Sequence, residues 1–86
     1  MNESLFDSPV FVKDGTYLIR EIASIDDAID FLHEWPENER DVIYQITWTS
    51  CLDSKKGITP IKDAENAMRR FASDRCILEN PDITIL

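Results

Sequence analysis

The chain has 86 residues, and its 17 acidic side chains outnumber its 9 basic ones, which gives a net charge of −8 at pH 7. This charge repels nucleic-acid phosphates and anionic lipid headgroups, so we expect neither a nucleic-acid partner nor a membrane partner. A hydrophobic fraction of 43% suits one small globular domain with a thin core. Two cysteines and an N-terminus without signal-peptide character favour a cytoplasmic protein.

The first predicted element is a β-hairpin over residues 8–22. Two runs rich in β-branched and aromatic side chains are its predicted strands: residues 9–13 and residues 16–22. Asp14 and Gly15 lie between them and are typical of a two-residue type I′ turn, because both positions of that turn need positive φ. Such a turn would place Val12 opposite Tyr17, whereas a longer, bulged loop would shift the pairing.

The first predicted helix begins after Ser24, which can cap it, with Asp27 three positions later as in a capping box. Pro36 disfavours helical geometry at Trp35 and ends the helix there. Apolar side chains at helical spacing predict one buried stripe: Ile25, Ala28, Ile29, Leu32 and Trp35.

The excess negative charge lies in the first part of the chain, where residues 1–52 hold 11 acidic and 3 basic side chains. Four carboxylates on the outward side of the first helix form a candidate acidic docking face: Asp26, Asp27, Asp30 and Glu34. A solvated helix surface explains this face most simply, and docking of a basic protein is the alternative. Because a convex helix leaves an ion open to water, we expect no metal site.

The second predicted helix opens between Pro36 and Asn38, runs to about Lys56 and is ended by Gly57. Small and aliphatic side chains form its predicted inner face: Ile43, Ile46, Thr47, Ser50 and Ser54. Three larger side chains lie beyond that face: Tyr44, Trp48 and Leu52. Either the helix is packed from two sides, or these three residues form a candidate interface, most simply in a homodimer.

The third predicted helix starts with Thr59 as its cap and Pro60 at its first helical position. Its predicted inward stripe is Ile61, Ala64, Ala67, Met68 and Phe71. The element order is therefore β-β-α-α-α-β, a small α+β domain in which a hairpin and a C-terminal strand carry three helices on one face. We expect one domain over residues 1–86: a tail at 1–7, the hairpin at 8–22, three helices within 24–76 and a short strand at 82–86.

No pattern in the sequence indicates catalysis. Cys51 and Cys76 form no Cys-x-x-Cys pair, and the two glycines belong to a turn and a helix end rather than to a phosphate-binding loop. We therefore expect structural thiols, no catalytic residue, no cofactor and no enzymatic activity.

Scattered positions resemble the pattern of Domain of Unknown Function family 982, small uncharacterised proteins of rhizobia and related alphaproteobacteria. The matching positions are Pro9-Val10-x-Val12, Ile22, Asp27-Ala28, Leu32, Trp35-Pro36, Tyr44, Cys51, Gly57 and the helix at 67–71. Thr47 and Ser54 stand where alanines are common in the family, and residues 80–86 follow its usual end. The resemblance implies no assigned activity, so it transfers no functional residue to this chain.

Three functions are compatible with these features. The leading hypothesis is a non-enzymatic protein-interaction module, homodimeric through Tyr44, Trp48 and Leu52 together with an exposed strand edge. The alternative is an acidic decoy or adapter that binds a basic, DNA-binding type of protein through the carboxylates of the first helix. The third is an enzyme or metal-binding protein without a recognisable motif.

Overall fold

The computed structural model describes residues 5–79, which form a three-stranded antiparallel sheet packed with three helices. The elements are β1 (Leu5–Lys13), β2 (Ile19–Ser24), α1 (Ile25–His33), α2 (Val42–Lys55), α3 (Ile61–Asp74) and β3 (Leu78–Glu79). The strand order is β2-β1-β3, so the two edges of the sheet are β2 and the short β3. The predicted α+β class and its element order are confirmed, while the strand expected at 82–86 lies outside the described residues.

The sheet buries one of its faces against the helices. Val10 and Val12 of β1 and Ile22 of β2 are fully buried, whereas the alternate Glu21 of β2 is exposed and Phe11 of β1 is half-buried. This alternation is typical of an antiparallel sheet with a single covered face. The core between sheet and helices consists mainly of the following buried side chains: Val10, Val12, Ile22, Ile25, Ala28, Phe31, Leu32, Tyr44, Cys51, Ala64, Met68, Phe71 and Ala72.

The hairpin loop is longer than the predicted two-residue turn, so that prediction is wrong. Val12 pairs with Arg20, and residues 14–18 form the loop, which the Asp14 backbone N–H closes by donating to the Leu18 carbonyl at 2.8 Å. A two-residue turn would have turned Glu21 toward the core, because a register shift by an odd number of residues moves every side chain of a strand to the other face. The longer loop instead buries Ile22 and leaves Tyr17 94% exposed.

Helix α1 starts and ends as its local signals predict. The Ser24 hydroxyl accepts the Asp27 backbone N–H at 3.1 Å, and the Asp27 carboxylate accepts the Ala23 backbone N–H at 3.0 Å. The Ser24 bond satisfies a backbone donor of the first turn as in a capping box, whereas the Asp27 carboxylate bonds the residue before the cap instead of the cap itself. Its last helical residue is His33, and Phe31 adds a buried side chain that the predicted stripe omitted.

The starts of the other two helices differ from the predictions. Residues 37–39 form a short 3-10 turn, and α2 begins only at Val42, where the Asp41 carboxylate accepts the Tyr44 backbone N–H at 3.1 Å. An aspartate cap explains this later start, since it satisfies an otherwise unpaired donor. In α3 the N-cap position is occupied by Pro60, without a side-chain cap, rather than by Thr59, whose hydroxyl lies 3.0 Å from the Ser54 hydroxyl.

Candidate protein-interaction site

The buried side of α2 is lined by polar as well as apolar side chains. Tyr44 is 3% exposed, and its hydroxyl donates to the Leu32 carbonyl at 2.7 Å. The Thr47 hydroxyl donates to the Ile43 carbonyl at 2.9 Å, and the Ser54 hydroxyl donates to the Pro60 carbonyl at 2.9 Å. Each of these buried hydroxyls has a hydrogen-bond partner, so the domain avoids the free-energy cost of burying an unpaired polar group. The inward side of α2 is therefore rotated toward Tyr44 relative to the prediction.

The three candidate interface residues differ in exposure. Tyr44 belongs to the core, which matches the internal-packing alternative for this residue. Trp48 is half-buried and stacks on Tyr44 with ring centroids 6.3 Å apart and planes inclined by 10°. Leu52 is also half-buried. The structure thus joins Tyr44 and Trp48 in one aromatic pair that packs inside the domain, and Tyr44 is not part of a free surface.

A groove with a volume of about 880 Å³ lies between α2 and α3. We call it the α2–α3 groove. Helix α2 contributes Ile43, Ile46, Thr47 and Ser50. Helix α3 contributes Asp63, Asn66, Ala67, Arg70 and Asp74. We call the small and aliphatic side chains that line the groove its floor, and the charged side chains that α3 contributes its rim.

The sequence predicts that the α2 side of this groove lies inside the domain. The prediction is right for Thr47, which is 2% exposed, and wrong for Ile46, which is 59% exposed. Val42, one turn earlier, is 71% exposed. A sequence signal for this surface exists: residues 42–52 contain no charged side chain, although 30% of the chain is charged. Eleven uncharged residues in a helix that buries few of them leave an uncharged outer surface. The α2 side of the groove is thus an uncharged helix surface on a strongly acidic protein.

The rim of the α2–α3 groove carries charges of both signs. Asp63 and Arg70 are two helical turns apart on α3, roughly 10 Å along the helix axis, so they do not pair with each other. Within residues 5–79 neither takes part in a salt bridge. Both side chains are exposed. They are therefore available to an opposite charge on a binding partner.

The candidate acidic docking face is largely engaged within the chain. Asp26 pairs with Lys55 of α2, and Asp27 serves the helix cap. Glu34 accepts a hydrogen bond from the Arg20 guanidinium at 2.8 Å, which holds the pKa of Glu34 below its usual value. Asp30 is exposed. Three of the four carboxylates that would attract a basic protein already have partners in the domain.

The groups with chemical reactivity lie apart from the groove lining. Burial raises the pKa of the Cys51 thiol to about 12, so this thiol stays protonated at neutral pH. Cys76 and His33 are exposed, at the ends of α3 and α1. In the part of the chain that the structure describes, no three His, Cys, Asp or Glu side chains are placed to hold a metal ion. None of the helices within residues 5–79 is long and apolar enough to cross a membrane.

Comparisons with known proteins identify a family for this chain. No curated protein and no solved structure matches the chain. The model of a family described as "Protein of unknown function (DUF982)" matches residues 8–78. That range includes most of the hairpin and all three helices, and thus both helices of the groove. The chain therefore belongs to the DUF982 family of proteins of unknown function.

Proposed function

We propose that this protein is a non-enzymatic protein-interaction module that forms a homodimer. The observation that carries the proposal is the uncharged surface of α2, where Val42 and Ile46 expose aliphatic side chains beside a groove. Exposed apolar surface bordered by polar groups is typical of a protein–protein contact. Here the polar border is the charged rim that α3 supplies.

Net charge favours this surface for self-association. Two copies with a charge of −8 each repel one another, and the repulsion is greatest where carboxylates face carboxylates. The α2 surface avoids that contact because residues 42–52 carry no charge. Two copies can therefore approach through α2 and bury aliphatic side chains without burying unpaired charges.

Two features favour an interaction role over catalysis. The buried hydroxyls of Tyr44, Thr47 and Ser54 each bond to a backbone carbonyl and so act in packing. The buried Cys51 thiol is protonated at neutral pH and therefore a poor nucleophile. Capture of a basic protein by α1 has less support, since Arg20 and Lys55 already neutralise two of its carboxylates.

Sedimentation equilibrium tests the proposal directly. We expect the molar mass to rise from one chain to two as the protein concentration increases from low to high micromolar, because a reversible dimer follows mass action. A single-chain mass over this entire range would contradict the homodimer. Circular dichroism of the same samples serves as the control that the chain stays folded upon dilution.

A further inference from the structure

The observations on the rim lead to a specific dimer geometry, which rests on the proposed function. We propose that the α2–α3 groove receives a second copy of this chain through a twofold axis beside Asn66, with Arg70 of each copy paired to Asp63 of the other. The partner is thus a second copy, and the groove is an isologous interface in which the same residues appear on both sides.

The spacing on α3 supplies the symmetry argument. Asp63, Asn66, Ala67 and Arg70 share the side of α3 that lines the groove. Asp63 and Arg70 lie at nearly equal distances on either side of Asn66. When two copies of α3 face each other antiparallel about an axis between Asn66 and Ala67, Arg70 of each copy therefore lies opposite Asp63 of the other. Two reciprocal ion pairs form, and both use side chains that have no salt bridge within residues 5–79.

The groove floor allows the close approach that this geometry needs. Thr47, Ser50 and Ala67 are small, and they line the groove. Ile46 stands beside them and is 59% exposed. The same symmetry axis brings the two α2 helices together antiparallel, so each Ile46 packs against the groove of the other copy. Aliphatic side chains that insert between small ones are the usual basis of helix packing.

The hairpin loop is the competing apolar surface. Tyr17, Leu18 and Ile19 are 94%, 68% and 56% exposed. This loop projects from the end of the sheet, and its neighbouring charges are already paired, since Arg20 lies 3.7 Å from Asp14 and 2.8 Å from Glu34. It therefore offers no free charges for a reciprocal contact, and we assign the second copy to the groove.

A matched pair of apolar-to-charged changes separates these surfaces. Ile46→Glu places a carboxylate in the proposed interface, and we expect it to weaken dimerisation by about thirtyfold or more, as for a central interface residue. Leu18→Glu makes the same change at a site of similar exposure and should leave the dissociation constant unchanged. Sedimentation equilibrium measures both variants. A dimer that survives Ile46→Glu but dissociates with Leu18→Glu would overturn the groove assignment and leave the homodimer intact.

Charge reversal tests the reciprocal ion pairs. Arg70→Glu alone sets Glu against Asp63 of the other copy, and Asp63→Arg alone sets Arg against Arg70, so each variant should dimerise weakly. An equimolar mixture should form a heterodimer with affinity close to that of the unaltered protein, because every facing pair is then opposite in sign. A mixture no tighter than the two separate variants would overturn the proposed pairing.

Cross-linking gives a second readout that needs no charge reversal. In a Cys76→Ser background, Asn66→Cys places one reactive thiol near the proposed axis, while the buried Cys51 thiol is shielded. A short bismaleimide should then join two copies with high yield. The same thiol placed by Ser73→Cys, at the far end of α3, should give little cross-linked product. The opposite ranking of the two variants would contradict an axis beside Asn66.

Discussion

The buried and exposed faces of α2 do not follow a simple division between apolar and polar side chains. The buried face carries Tyr44, Thr47 and Ser54 with every hydroxyl bonded. The exposed face carries the aliphatic Val42 and Ile46, and Ile46 also lines the α2–α3 groove. Hydroxyl-bearing side chains thus lie inside the domain, while two aliphatic ones face outward together with exposed polar residues of the same helix. A helix with this arrangement has no clear amphipathic pattern from which its inner face can be identified.

Hydrogen-bond partners supplied by neighbouring elements account for the burial of these hydroxyls. The carbonyls of Leu32 and Pro60 lie at the end of α1 and at the start of α3, where they accept the hydroxyls of Tyr44 and Ser54. A buried hydroxyl with a partner is tolerated, and its side chain still contributes apolar contacts. The aliphatic face then remains for a function outside the core, which in our account is the contact with a second copy.

The largest expected effect comes from truncating one large side chain on each face. Tyr44→Ala removes a buried aromatic ring and should lower the free energy of unfolding by about 3–5 kcal/mol. Ile46→Ala removes an exposed side chain and should change the free energy of unfolding of the monomer by less than about 0.5 kcal/mol. Urea unfolding at concentrations where the chain is monomeric measures both. Equal losses in the two variants would show that Ile46 belongs to the core and would remove the basis of the comparison.

Helix α3 also has a buried and an exposed face, and each of them carries a carboxylate. Glu65 is 2% exposed and accepts the Asp7 backbone N–H at 2.9 Å, with Lys62 and Arg69 beside it, whereas Asp63 lies on the groove rim. Burial alone would raise the pKa of Glu65, but the hydrogen bonds outweigh burial and hold its pKa below the usual 4.5. We expect Glu65→Gln to lower the free energy of unfolding by about 1.5–3 kcal/mol at neutral pH, and Asp63→Asn to lower it much less.

The pH dependence of stability follows from the lowered pKa of Glu65. Because the folded-state pKa lies below the unfolded value, the contribution of Glu65 is complete above the unfolded value and is lost as the pH falls through the folded one. Urea unfolding at pH 7 and at several values below 4.5 should show a smaller acid-induced loss of stability in Glu65→Gln than in the unaltered protein. Identical acid-induced losses would mean that Glu65 does not make these hydrogen bonds in solution.

The smallest expected effect comes from one chemical change made on both faces of α2. Ser54→Ala removes the hydroxyl that donates to the Pro60 carbonyl at 2.9 Å, which also accepts the Asp63 backbone N–H, and should lower the free energy of unfolding by about 1 kcal/mol. Ser50→Ala makes the same change on the groove side of α2. It should leave the free energy of unfolding of the monomer within about 0.5 kcal/mol of that of the unaltered protein. Thermal unfolding of dilute samples resolves the difference. A larger loss for Ser50→Ala would indicate that the groove face contributes to the domain core.

Local signals sufficed for the parts of the fold in which neighbouring residues decide the structure. The start of α1 depends on Ser24 and Asp27, and the chain leaves the helix before Pro36, so both boundaries are close to the predicted ones. The hairpin register could not be obtained this way. Asp14-Gly15 suits a tight turn, but burial of Ile22 against the helices requires the longer loop.

The candidate site depended on tertiary structure to a greater degree. The excess of large uncharged side chains on α2 predicts a contact surface at Tyr44, Trp48 and Leu52, of which Tyr44 is buried and the other two are half-buried. The rotation of α2 is set by carbonyls at the ends of α1 and α3, which no pattern within α2 reveals. The uncharged run at 42–52 is visible in the sequence, yet it does not tell which side of the helix faces out.

Mapping the contact by NMR tests the central claim most directly. Amide ¹H–¹⁵N spectra of the unaltered protein, recorded during dilution, report which residues change environment as the dimer dissociates. We expect the largest shifts at the α2–α3 groove, around Ile46, Ser50 and Asn66, and constant positions for Tyr17 and Leu18 in the hairpin loop. Shifts centred on the hairpin loop, with the groove unchanged, would contradict the account.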